Sequence, residues 1–356
     1  MRPRNARGKR LGVGVLSCLV AGLFGTESLS GQGCSPSRFT SPARWGQGDV
    51  YLPPGEWQAS LVYRRFTSSN LVQGHDDLSA SAPRGLPSTV HSRTLNLSMT
   101  YALSQRLALS AGLPYLEGDH TTWYADSVRH TNTARGFGDL QLMASYWLRP
   151  VHPMQPGGNL SIGLGVKVPT GSNDVAGRWW NADGSTLAFP VHSSIQLGDG
   201  GWGIVAQLVG FQPFGAVNYA YLSASYTAVP RGTTDVVRSP GSTLRWAAPD
   251  SWNATVGVAR VLWPGQGLGI DLSARFAGTP RRDLIGGRDA GYRLPATTGY
   301  LTPSVALTRG AHSVSLAVPV LLYRNFLPSY VDLEAGKLGG GGLADYQLLA
   351  GYSVRF

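Results

Sequence analysis

Apolar and polar residues alternate with a period of two in twelve separate stretches of this chain, and that pattern constrains its fold more than any other feature. In the last stretch Ala344, Tyr346, Leu348, Ala350, Tyr352, Val354 and Phe356 share one face, while Asp345, Gln347, Leu349, Gly351, Ser353 and Arg355 share the other. The first runs through Trp57, Ala59, Leu61 and Tyr63, the second through Leu95, Leu97, Met99 and Tyr101, and the third from Leu107 to Tyr115. Further stretches begin at Leu140, Leu160, Trp202, Asn218, Trp252, Leu268, Leu301 and Val314. Each predicts a strand with one apolar face. A row of apolar side chains that ends on the ring of Phe356 needs a cover other than water.

The connectors are of two kinds. "SQR", "HPMQPGG", "QPFG", "WPGQG" and "RGAH" are short and turn-like, and the segments between the other strand pairs are long and polar. Five short turns and six long loops put both ends of the strand array on the short-turn side. Outer-membrane barrels have this asymmetry, with short periplasmic turns and long extracellular loops. Lipid offers the backbone no hydrogen-bond partner, so a sheet within it cannot keep an edge, and an even antiparallel count lets the first strand meet the last. The expected fold is therefore all-β: a closed antiparallel transmembrane β-barrel of about 12 strands spanning residues 55–356. A secreted sandwich or propeller would need a covered face, and the chain has no periodic blade motif.

The N-terminus predicts export. "MRPRNARGKR" is a basic region, "LGVGVLSCLVAGLFG" an apolar one too short to span a bilayer, and Ser28-Leu29-Ser30 a small-x-small cleavage site. Residues 1–30 read as a signal peptide and 31–54 as a short periplasmic segment. Removing residues 1–30 takes away five basic residues and Glu27, which lowers the formal charge from +10 to +6. Much of the basic balance is thus targeting. The remaining positive charges form no run, so nucleic acid is not an expected partner. Cys18 leaves with the signal and Cys34 stays alone, which excludes an internal disulfide; lipid modification of Cys34 is left open.

Four stretches resemble the outer-membrane transporter-like barrels of the MetA-pathway of phenol degradation family: "LPPGEWQASLVYR" (52–64), "GFGDLQLMASYWL" (136–148), "GLGVKVPTGSND" (163–174) and "LGDGGWG" (197–203). The resemblance implies an outer-membrane barrel linked to uptake of aromatic or other hydrophobic compounds, with no cofactor. A terminal Phe after alternating aromatics also resembles the C-terminal sorting signal of bacterial outer-membrane barrels, which assigns that role to Tyr352, Val354 and Phe356. The expected partners are outer-membrane lipids, the barrel assembly machinery and small hydrophobic or aromatic solutes.

Within the predicted strands, parity puts Arg64, Asp139, Lys167, Asp271, Arg275 and Asp345 with the polar set, facing the lumen. Arg or Lys facing lipid at mid-depth would cost roughly 2–4 kcal/mol. Mixed signs suggest paired groups in a narrow interior, whether constricted or closed. Arg260 breaks the parity of its strand, which points to a bulge or a rim position. Trp179 and Trp180, adjacent in the third long loop, are expected to offer stacking surface to a solute if that loop folds inward, the alternative being packing on the rim.

Other motifs carry less. "GDGGWG" (198–203) fits G-x-G-x-x-G by letter but leads into a strand, so it reads as a tight turn. His192-Ser193-Ser194 lacks a third residue to orient a catalytic pair. His75, His120 and His130 near Asp76, Asp77, Asp119 and Asp126 read as solvated loop residues. No catalytic residue and no metal site is assigned. The expected function is passive passage of small, hydrophobic or aromatic molecules across the outer membrane, the alternative being a structural or partner-binding barrel with a closed lumen.

Overall fold

The computed structural model describes residues 51–82, 87–150, 157–286 and 291–356. The predicted signal peptide, Cys34 and all but the last four residues of the 31–54 segment lie outside the described residues.

The described chain is dominated by strands. β1 (Trp57–Ser68) is followed by the short pair β2 (Val72–Gln73) and β3 (Asp76–Asp77), then β4 (Thr89–Ala102), β5 (Leu107–Trp123), β6 (Arg129–Phe137), β7 (Leu140–Trp147) and β8 (Asn159–Val168). A loop hairpin, β9 (Ala176–Trp180) and β10 (Thr186–Pro190), precedes β11 (Gly203–Phe214) and β12 (Asn218–Ala228). Next come the pair β13 (Thr233–Val237) and β14 (Arg245–Ala247), then β15 (Ser251–Trp263), β16 (Leu268–Thr279), β17 (Ala296–Arg309), β18 (His312–Ala317), β19 (Val320–Phe326) and β20 (Gln347–Arg355). One short helix, α1 (Tyr330–Glu334), lies between β19 and β20, and no helix among the described residues is long and apolar enough to cross a membrane.

Fourteen strands form one antiparallel sheet that closes on itself, with β1 hydrogen-bonded to β20 from Gln58↔Arg355 to Phe66↔Gln347 and β16 joined to β17. They make twelve staves. β6 and β7 lie end to end along β5, as β19 and β18 do along β17. The first break falls at Gly138-Asp139. Gly136 has φ 152°, and a Cβ on Gly138 would stand 2.6 Å from Leu116 Cδ1 and 3.0 Å from Leu197 O, so side chains are refused there. The second falls at Val318-Pro319, where Pro319 has no N–H to give the ladder.

The outer face is apolar and exposed through Leu97, Ile162, Leu164, Val256 and Leu272, while Asn96, Ser161, Ser273 and Thr302 are buried on the inner face. This is the alternation of a barrel with a lipid-facing belt. Among the described residues four short turns lie at one end, and Trp57 and Tyr101 meet there with ring centroids 4.7 Å apart. Arg260 is exposed on the outer face near this end, just before the register shifts between Val261 and Trp263.

The second long connector departs from expectation: β5 and β6 continue upward as a hairpin whose turn is only residues 124–128. The closing stretch differs too. Its alternation holds from Gln347 on, but Ala344 is buried and Asp345 exposed. Asp345 lies before the strand, at its long-loop end, where its Oδ1 accepts a hydrogen bond from Asn70 Nδ2 at 3.1 Å.

Candidate functional site in the barrel interior

Aromatic residues line part of the interior toward the short-turn end. Trp147, Val209, Phe211, Tyr219, Tyr221 and Ala259 form one buried cluster contributed by β7, β11, β12 and β15. Tyr51 packs against it, with centroids 5.1 Å from Trp147 and 6.0 Å from Phe211, and its hydroxyl accepts from Asn159 Nδ2 at 3.0 Å. The segment before β1 therefore enters this mouth. The inner faces of β1 and β4 opposite are polar, through Gln58, Asn96, Ser98 and Thr100.

Charged groups lie further along. The Tyr221 hydroxyl donates to Asp271 Oδ2 at 2.5 Å and Ser304 donates to Oδ1 at 2.5 Å. Arg275, four residues along β16 and so on the same strand face, is 3% exposed. Arg64 has no exposed surface, sits over the Phe66 ring at 5.0 Å and reaches Thr94 Oγ1 at 3.5 Å.

Lys167 is fully buried and joins two carboxylates, Asp139 at 3.4 Å and Asp199 at 2.5 Å. Asp139 comes from the break between β6 and β7, and its Oδ1 accepts the Gly171 N–H at 3.0 Å. Asp199 comes from the third long loop, where its Oδ1 also accepts the Gly201 N–H at 2.8 Å and so shapes the glycine turn. Three of the four glycine-rich stretches singled out in the sequence thus meet at one ion cluster. Asp139 and Lys167 were expected to line the lumen; Asp199 had been read only as part of a turn. Nothing local marks it, because its role depends on the loop returning to the wall.

That loop enters the barrel. Residues 193–199 are buried, and a Cβ on Gly118, which faces inward on β5, would stand 2.7 Å from Ile195 Cγ2. Val191 and Ile195 pack with Val90 and Ala134 of the wall. His192 stacks on His120 of β5 and meets Trp246 edge-on at 5.0 Å. Although part of its surface stays open, His192 is hemmed in by protein. This burial holds its imidazole well below the usual histidine range, with His120 and Arg238 adding to the effect.

Trp179 and Trp180 sit on β9, outside that inserted segment. Both pack on the β5–β6 tip, with Tyr124 5.3 and 4.7 Å away, and Trp180 stacks on His130 at 4.2 Å. Asn132 ties the two hairpins by donating to Arg178 O and accepting from Arg178 N, both at 2.9 Å.

The remaining loops gather over the long-loop mouth. Val72, Val236, Trp246, Tyr292, Leu294, Phe326 and Leu343 form one buried cluster. Beneath it Arg293 makes a two-pronged pair with Asp283 at 2.6 and 2.7 Å, and Asp250 accepts the N–H groups of Val229 and Leu284 at 2.7 Å each.

The loop histidines go to separate places. His75 meets Arg324 O, His130 pairs with Asp126 at 2.6 Å, and His192 Nδ1 contacts Ser194 Oγ at 2.9 Å. Among the described residues no three His, Cys, Asp or Glu side chains converge. The His192–Ser194 contact belongs to a single turn of 3₁₀ helix, and His192 turns its ring face to His120.

No family model matches the chain. The crystal structure of the COG4313 outer membrane channel from Pseudomonas putida F1 is similar with a TM-score of 0.58 at 16% identity, over 86% of this chain and 97% of that one. The Pseudomonas putida toluene transporter TodX aligns over 85% of this chain and 90% of its own at 10% identity, with a TM-score of 0.41. A curated succinyl-diaminopimelate desuccinylase of Paraburkholderia xenovorans is 30% identical over 95 residues, and the chain spans about a quarter of that protein's length. So short a match carries no enzyme fold onto a barrel of twelve staves. A closed antiparallel barrel with an exposed apolar outer belt, shared in fold with an outer membrane channel, places this chain in the bacterial outer membrane.

Proposed function

We propose that the protein is an outer-membrane channel for passive passage of small apolar or aromatic solutes. The aromatic cluster of Trp147, Phe211, Tyr219 and Tyr221 on the inner face carries this reading. Barrel interiors are ordinarily polar, and an apolar wall inside one offers a partitioning surface that water-soluble solutes do not need. Stacking on such rings contributes roughly 0.5–1.5 kcal/mol per ring beyond area burial. The resemblance to the MetA-pathway group points the same way. Export through residues 1–30 and recognition of Tyr352, Val354 and Phe356 by the assembly machinery belong to the same proposal.

Uptake by proteoliposomes tests it. Toluene should enter faster than glucose relative to protein-free vesicles, and Phe211→Ala with Tyr219→Ala should reduce that preference. Equal enhancement for both solutes would defeat the reading.

One observation favours the alternative of a closed barrel. Arg64 and Lys167 have no exposed surface, Tyr51 packs on the aromatic cluster toward one end, and a buried loop cluster lies toward the other. On this second reading passage requires movement of the inserted loop or of the segment before β1. Single-channel recording separates the readings: openings support the channel, and their absence together with absent toluene uptake supports the closed barrel.

A further inference from the structure

The strand register sets outward side chains in rows across neighbouring staves. Tyr63, Leu95, Tyr115 and Phe137 face one another in sequence from β1 through β4 and β5 to β6, and the Tyr115 and Phe137 rings lie 5.4 Å apart. This aromatic row has the character of the interfacial girdle at the edge of a bilayer. Two residues further toward the long loops the next outward row reads Arg65, Arg93, Glu117 and Arg135, again directly opposite one another.

That row carries three guanidiniums and one carboxylate. Arg93 Nη1 meets Glu117 Oε1 at 2.9 Å, with both side chains more than 40% exposed. Arg65 and Arg135 are exposed and have no ion-pair partner among the described residues. Asp119, one row further out, is turned to Thr133, whose hydroxyl donates to it at 2.6 Å, and His91 of that row bonds Thr67 at 2.9 Å. Arg65 and Arg93 are paired across the ladder, an arrangement of like charges that destabilises a sheet unless an anion lies between them. Strands stand about 4.8 Å apart, so two neighbouring guanidiniums reach one tetrahedral anion. The height of the row decides which anion. It begins where the apolar belt stops, at the level of lipid headgroups.

We propose that Arg65, Arg93 and Arg135 hold the phosphate groups of an outer-leaflet lipid headgroup against the barrel, its acyl chains lying along the Tyr63–Phe137 row. The partner is a phosphorylated lipid, and charge complementarity together with continuity with the lipid-facing belt identifies it. The site is independent of what crosses the lumen.

Delipidated protein in detergent, offered bis-phosphorylated lipid A or the same lipid with its phosphates removed, tests this by native mass spectrometry. Wild type should retain the phosphorylated form at least about tenfold better, the scale of a charge-assisted contact or more. Arg65→Gln with Arg135→Gln should erase the difference, whereas Arg260→Gln, on the outer face near the opposite rim, should leave it intact. Equal retention of both lipids by wild type overturns the proposal and needs no variant that might fail to assemble. Full displacement of the lipid by inorganic phosphate at equal concentration also overturns it, because the site would then bind the free anion.

Discussion

His120 on the barrel wall and His192 on the inserted loop stack face to face, ring centroids 4.4 Å apart and 17° from parallel. The contact joins a fixed stave to the segment that fills the interior, and it tolerates protons poorly. His192, buried beside His120 and Arg238, is held neutral well below the usual histidine range. A loop released into water would bind a proton with an ordinary pKa near 6.5, so the released state takes up more protons below that pH. The inserted state is therefore most stable above about pH 6.5 and loses stability progressively as the pH falls below it. Channel openings should become more frequent as pH falls through this window, and His192→Phe should flatten the dependence. An unchanged opening frequency from pH 7.5 to 5 in wild type would contradict the coupling.

The Lys167 cluster predicts an order of damage. Lys167→Met leaves Asp139 and Asp199 buried without their shared cation, and uncompensated buried charge costs about 3–5 kcal/mol. Asp199→Asn keeps the shape and the acceptor for Gly201 N–H and leaves Lys167 paired with Asp139, so it should cost less. Heat-induced unfolding followed by gel mobility ranks them. If Asp199→Asn proved the worse of the two, the lysine would not be the centre of the cluster.

Much of this architecture was legible because strand parity is local. Leu95, Leu97, Ile270 and Leu272 announce an outer face from their own spacing, and closure follows from the even number of such stretches. What stayed hidden depends on distant segments. Asp199 gains its partner only when the third loop turns back into the barrel, and that return leaves no periodic trace. Tyr146 continues the outward set of Leu140, Leu142 and Ala144, and Trp147, one residue on, is the ring that looks inward, as parity requires. Tyr219 and Tyr221 alternate with Ala220 and Leu222, and there the larger rings are the inner set. Asp345 follows the parity of its strand in sequence, but the ladder begins two residues later, at Gln347.

The two aromatic groups make opposite predictions about solutes. Trp179 and Trp180 stack on Tyr124, His130 and Phe189 in a loop hairpin, whereas Phe211 and Tyr219 line the interior. Trp179→Ala with Trp180→Ala should loosen the hairpin and slow toluene and glucose alike, if either. Phe211→Ala with Tyr219→Ala should slow toluene alone. A toluene-specific defect in the tryptophan variant would move the solute contact to the loop.

Phe356 separates assembly from stability. Its backbone closes the seam of the barrel, with Trp57 N donating to Phe356 O at 2.8 Å and Phe356 N to Trp57 O at 3.0 Å. These bonds do not depend on the side chain, whose ring is 64% exposed on the outer rim. An exposed residue away from any buried contact changes stability by about 0.5 kcal/mol or less, so Phe356→Asp should unfold from detergent at nearly the wild-type denaturant concentration. Its cost should fall on delivery, because an aromatic terminus is the feature read as a sorting signal and Asp removes it. Less folded barrel in the outer membrane, with more chain held in the periplasm, is the expected result, and Phe356→Tyr should restore most of the loss. Normal membrane amounts of Phe356→Asp would leave the ring as an interfacial anchor alone.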